Sequence, residues 1–216
     1  MNHPTPIWDL PIRLFHWSLP LLIIGAWASA ELGEMQYHQW IGYALIVLVS
    51  FRIIWGMVGS THARFTDFVR GPMTVLHYLR QGHATEGHNP AGGWSVLVLL
   101  SLILVQTISG LFNSDDVMLF GPMNHLVDSK TAKFMHETHE IAFNLLLGMI
   151  ALHLIAIGYY QWGRKHDLIR PMLYGGVSTD GKNRIRPSGW ALLIIAACAI
   201  ALWFGLEQVP APRFLY

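Results

Sequence analysis

The chain has 216 residues, of which 53% are hydrophobic and only 12% charged, with a net charge of +1 at neutral pH. This balance excludes an ordinary soluble domain and points to a membrane protein in contact with lipid, with no nucleic-acid partner expected. The single cysteine, Cys198, excludes disulfides, iron–sulfur clusters and covalently attached c-type haem within this chain.

Five apolar stretches of spanning length follow one another, at about residues 14–30, 39–58, 94–112, 139–160 and 189–206. The expected fold is all-α and integral to the membrane, with 1–216 as one membrane domain. A four-helix bundle takes up about residues 8–173, and a fifth, peripheral helix about 189–206. The first stretch lacks a small-residue cleavage site and is expected to be retained. Inside it, Pro20 cannot donate to the carbonyl of His16, so that turn is expected to loosen or kink. Between the second and third stretches, residues 59–93 read as a loop. It contains Gly71-Pro72 and Gly92-Gly93, with a short interfacial helix from Pro72 to Gln81. Residues 113–135 form a larger loop, acidic in its first part, that suits either docking or plain solvation. The fifth stretch is apolar all round, with no ionisable residue inside.

Lys and Arg are uneven. Arg13, Arg64, Arg70, Arg80, Arg164, Lys165, Arg170, Lys182, Arg184 and Arg186 fall on one side. The other side has Glu31, Glu34, Asp115, Asp116 and Asp128 against Lys130, Lys133 and Arg213. The positive-inside rule then predicts a cytoplasmic amino terminus and an external carboxyl terminus.

Twelve histidines remain to be sorted. His3, His62, His77, His83, His88, His125 and His166 lie in loops or polar segments and read as surface histidines. His16, His38, His136, His139 and His153 lie in or at the ends of spans, where an imidazole is costly unless coordinated or hydrogen-bonded. His139 and His153 are fourteen residues apart, which is roughly 21 Å along a helix and within roughly 40° of the same face. Because consecutive spans are antiparallel, His16 is level with His153 and His38 with His139. Two imidazoles at each of two depths suit two stacked haems, whereas zinc would gather three or four ligands at one level. His136, one turn before His139, is the alternative outer ligand or a proton relay; only His139 has the fourteen-residue partner. Gly42, one turn after His38, would let a ring approach the backbone, or would simply allow close helix packing. Arg52 lies at the inner depth, where it would meet a haem propionate or snorkel to headgroups. Arg13 is also counted among the cofactor-binding candidates.

Three stretches carry a resemblance: the opening Trp8-Asp9-Leu10-Pro11-Ile12-Arg13-Leu14-Phe15-His16-Trp17, the His38-to-Arg52 second helix, and His139-Glu140 followed by His153. From about Trp8 to Leu173 the chain resembles the bacterial cytochrome b561 family, which includes the cytochrome b subunits of nickel-iron hydrogenases. The resemblance implies a four-helix membrane bundle with two b-type haems, exchanging electrons between the quinone pool and a periplasmic redox partner. That partner would be a c-type cytochrome, a hydrogenase or another dehydrogenase. It also implies His16 and His153 on one haem, His38 and His139 on the other, and Arg52 near the propionates. The fifth span departs from the four-helix pattern and leaves docking and a homo-oligomeric state open. Two other functions fit the same residues: a superoxide:quinone oxidoreductase, and a membrane anchor whose histidines only bond between helices.

Overall fold

The computed structural model describes residues 6–81, 87–114, 121–178 and 183–210. Among the described residues eight α-helices follow in order: α1 (Leu10–Glu31), α2 (Met35–Val58), α3 (Phe65–Phe68), α4 (Pro72–Gln81), α5 (Pro90–Phe112), α6 (Ser129–Gly158), α7 (Ile169–Tyr174) and α8 (Ser188–Glu207). Among the described residues there are no strands. Five helices are long and apolar enough to cross a membrane: α1, α2, α5, α8, and α6 with the π-helical turn Tyr159–Gly163 that extends it.

Local chemistry sets the helix starts. Asp9, Asn89 and Asp128 precede α1, α5 and α6, and their side chains accept the N–H of Ile12, Gly92 and Thr131 at 2.8, 2.7 and 2.7 Å. A proline stands at the first or second position of α1 and α5, where its missing N–H costs nothing. Gly33 ends α1 with φ +74°, a conformation that glycine reaches without strain, so α2 can start at Met35. Pro20 does not break α1, which runs unbroken to Glu31.

The fourth span begins earlier than its apolar stretch, at Ser129. Its first three turns carry Lys130, Lys133, His136, Glu137 and Glu140. These residues form helix as readily as apolar ones, so hydropathy alone does not mark the start.

α1 packs along α2, α2 along α5, and α5 along α6, while α8 lies against α2 and α1. One core cluster joins Trp8, Ile12, Phe15, Phe51, Trp55 and Leu100 to Ala191 of α8; another joins Leu45 and Val49 to Ile103 and Leu146. Ala191 is the one buried residue described on α8, which makes this helix peripheral, as its uniform hydrophobicity suggests.

Asp9 ties the start of α1 to the last turn of α2. Its Oδ1 caps α1, its Oδ2 accepts the indole N–H of fully buried Trp55 at 2.9 Å, and the residue is itself only 2% exposed. Removing the carboxylate loses a cap and strands a buried donor, so Asp9→Ala is expected to cost about 2–4 kcal/mol. Thermal or detergent-induced unfolding of the purified protein measures this. Asp9→Asn, which keeps one acceptor, is expected to lose less.

Candidate functional site

α6 makes its extended backbone contacts with α5, not with α1 or α2. Across the resulting gap, imidazoles meet. His16 of α1 faces His153 of α6 with ring centres 6.4 Å apart and planes at 52°. His38 of α2 faces His139 of α6 at 6.1 Å and 70°. The four spanning histidines thus come together as two pairs at two depths. Among the described residues no three His, Cys, Asp or Glu gather in one place.

The separations test whether haem iron fits. A metal–nitrogen bond of about 2.0–2.1 Å plus roughly 1.1 Å from nitrogen to ring centre, taken on both sides, requires about 6.3 Å between ring centres at any angle between the planes. Both pairs match. A direct imidazole–imidazole hydrogen bond, with about 3 Å between nitrogens, brings the ring centres closer than this, whereas edge-to-face ring contact spans the same range of about 4.5–7 Å.

The His38–His139 level also has its outer support. His38 Nδ1 donates to the Ala26 carbonyl at 2.8 Å, and His139 Nδ1 donates to the Gln106 carbonyl at 2.9 Å. A carbonyl only accepts, so the proton sits on Nδ1 and Nε2 is left with a lone pair, as in metal-bound histidines whose other nitrogen bonds to a carbonyl. The side-chain amide of Gln106 lies 2.9 Å from His139 Nε2, and Ser109 Oγ lies 3.3 Å from Nδ1. Gly110 completes the seat, since a Cβ there would stand 3.0 Å from His139 Cε1.

The His16–His153 level is different. His16 Nδ1 is buried without a hydrogen-bond partner. His88 lies within electrostatic reach of both His16 and Arg52, the latter only 3% exposed. The Arg52 guanidinium stands over the Phe65 ring at 5.0 Å and the Phe68 ring at 5.9 Å. His88 packs on the same Phe68 at 4.4 Å and on Trp8 at 4.6 Å. Burial, reinforced by the Arg52 charge, pushes the His88 imidazole down to about 3.

The other candidates fall as follows. Open space faces Gly42, with nothing within 4 Å of where a Cβ would stand. Arg13 donates to the Leu173 carbonyl at 2.7 Å, tying α1 to α7. His136 bonds Asn113 Oδ1 at 2.8 Å and lies 3.8 Å from Glu140, so the ring opposite His38 is that of His139.

His62 and His88, expected at the surface, are instead drawn inward. His62 is 7% exposed and paired with Asp67 at 2.9 Å. The loop folds back over the ends of α2 and α5, with Phe65 against Gly56 and Phe68 against Gly93. His3, His83, Asp115, Asp116, Lys182 and Arg213 lie outside the described residues. Gln106, Ser109 and Asp9 were not singled out from the sequence. A glutamine within an apolar span was the available signal for the first.

Comparison with curated proteins and with solved structures returns no match. The family described as prokaryotic cytochrome b561 matches residues 7–175, most of the chain. Members typically bind two b haems, and membership implies a di-haem b-type membrane electron carrier. The residues that meet across the gap all fall inside the matched segment, and the chain belongs to the prokaryotic cytochrome b561 family.

Proposed function

We propose that this chain carries electrons between the quinone pool and a periplasmic redox partner, a c-type cytochrome or a hydrogenase, through two b-type haems. His16 and His153 would hold one iron, and His38 and His139 the other. The observation that carries this reading is the pair of imidazole separations, 6.4 and 6.1 Å, each the span of a bis-imidazole iron. Two imidazoles at each level would hold a haem whose chemistry, when bound, would be single-electron transfer in preference to oxygen binding.

The rest of the work falls to the protein. Ala26 and Gln106 would hold the second-level rings in one tautomer through their carbonyls. The gap between α6 and the α1–α2 pair would receive the flat macrocycles, with Gly42 leaving room and Arg52 meeting propionate charge. Arg13 belongs to the same cytoplasmic end and acts through its bond to Leu173. The asymmetry of Lys and Arg supports an orientation with the His16–His153 level toward the cytoplasm and the His38–His139 level toward the periplasm, in a bacterial inner membrane. The exposed acidic residues Glu31, Glu34 and Asp128 would then meet a basic partner.

One contact favours a second reading, a membrane anchor without redox centres. The Gln106 amide fills the lone-pair direction of His139 Nε2. It leaves the other level unexplained, because His16 has a buried nitrogen without a partner. The two readings part at Gln106: removing its amide deprives the anchor of a bond and frees Nε2 for iron.

Purified protein is expected to show a b-type absorption spectrum with two haems per chain. His16→Ala and His153→Ala are each expected to lose the same haem, and His38→Ala and His139→Ala the other. His136→Ala and Gln106→Leu are expected to keep both. A colourless protein sinks the proposal, and loss of a haem in His136→Ala moves the second-level ligand to that residue.

Reduced protein in liposomes is expected to pass electrons to a lysine-ringed soluble cytochrome c at a rate that falls as ionic strength rises from about 10 to 150 mM, because screening shortens the reach of surface charge from roughly 30 to 8 Å. A rate independent of salt removes the acidic face from docking.

A further inference from the structure

Two buried polar groups near one another lack hydrogen-bond partners. Arg52 Nη1 has no hydrogen-bond partner, and no carboxylate among the described residues lies within 4.0 Å of the guanidinium. Asp9 is in electrostatic reach, but its Oδ1 is engaged by the Ile12 N–H and its Oδ2 by the Trp55 indole. His88 Nδ1 is likewise buried and without a partner. Both side chains rest on the same Phe68 ring, and His88 is close enough to feel the charges of Arg52, His16, His62 and His153.

A buried guanidinium N–H without an acceptor is costly, and a guanidinium can only donate. The group that satisfies both side chains is an anion with two acceptor oxygens. Phe68 on one side and Trp8 on the other make the place too apolar for loose water to do the same work.

We propose that Arg52 and His88 together form a carboxylate clamp for a propionate of the haem held at the His16–His153 level, with His88 reaching in from the loop that closes this end of the bundle. The inference rests on the di-haem reading. It adds a second, neutral donor, carried by a segment distant in sequence from every axial histidine. A clamp of this kind both retains the cofactor and offsets negative charge beside it, so it raises that haem's midpoint potential. His88 is a positioning residue; the iron bonds do not depend on it.

The test uses the purified full-length protein with its haems bound, in nanodiscs of zwitterionic lipid and of lipid containing anionic phosphatidylglycerol. Potentiometric titration and haem transfer to a soluble acceptor are the readouts. His88→Phe keeps the ring packing and removes the donor. It is expected to lower the midpoint of the haem that His153→Ala also removes, and to speed that haem's loss on the order of tenfold, the worth of one charge-assisted hydrogen bond. His88→Gln, which retains an N–H donor, is expected to restore most of both properties.

Arg52→Gln is expected to shift the same haem, with the other haem unchanged. If His88→Phe does not fold, the unaltered chain reconstituted with haem dimethyl ester decides. The ester is expected to leave the His16–His153 level about tenfold faster than haem does. Unchanged midpoints and off-rates in His88→Phe, or equal retention of the ester, overturn the clamp. An effect present only with phosphatidylglycerol reassigns the site to lipid phosphate. Absence of haem from the wild-type chain overturns the di-haem reading instead.

Discussion

Imidazole is expensive to place among apolar helices, and here four imidazoles stand across a gap that the helices themselves do not close. This constraint organises the bundle. α6 makes its close backbone approach to α5 and reaches the α1–α2 side through side chains, Leu146 in the cluster with Leu45 and Val49 and the two histidines facing His16 and His38. A bundle built to pack directly would have put small residues where the histidines stand. The separation instead equals the span of two metal–nitrogen bonds and two half-rings, at both depths, although the ring planes differ by 52° in one pair and 70° in the other. That coincidence of separations at two depths is what the proposed pair of bis-imidazole irons would require.

The two depths are supported by different physics. At the His38–His139 level each ring is oriented by backbone carbonyls of neighbouring helices, so the tautomer is set before anything binds. At the His16–His153 level that support is missing on His16, and unpartnered donors on Arg52 and His88 surround the site. The first kind of support raises the basicity of the ligand; the second surrounds the site with positive and donor groups. Both act on an iron's affinity for an electron, in opposite directions, since a more basic ligand favours the oxidised metal and a positive surrounding favours the reduced one. On the di-haem reading proposed above, the two levels would then differ in potential.

The spans and the pairing were legible because they rest on periodicity. Fourteen residues bring His153 back onto the face of His139, and antiparallel spans fix which histidine stands level with which. The short helix from Pro72 to Gln81 was legible for a similar reason, a proline at its first turn. The loop histidines were not. Hydropathy places His62 and His88 in a polar connection, yet Phe65 and Phe68 between them dock on Gly56 and Gly93 and carry the segment inward. That docking depends on glycines far apart in sequence, so no local pattern announces it. Gln106 was hidden differently: its backbone carbonyl does the orienting, and a carbonyl has no sequence signature.

Asp9 shows why the first-level site and the fold cannot be separated. One carboxylate caps α1 and holds Trp55 of α2, and Arg52 stands one turn before Trp55 on the same face. Asp9 stays within electrostatic reach of Arg52, but its oxygens are oriented toward two other donors, and Arg52 Nη1 is left without a hydrogen-bond partner. The cap that starts the first helix thereby keeps the clamp open. Substitutions at Asp9 and Arg52 act on one network, so their effects should not add, and the sign of the departure carries information. If the loss in the pair is smaller than the sum of the single losses, removing the buried cation relieves the cost of removing its distant partner.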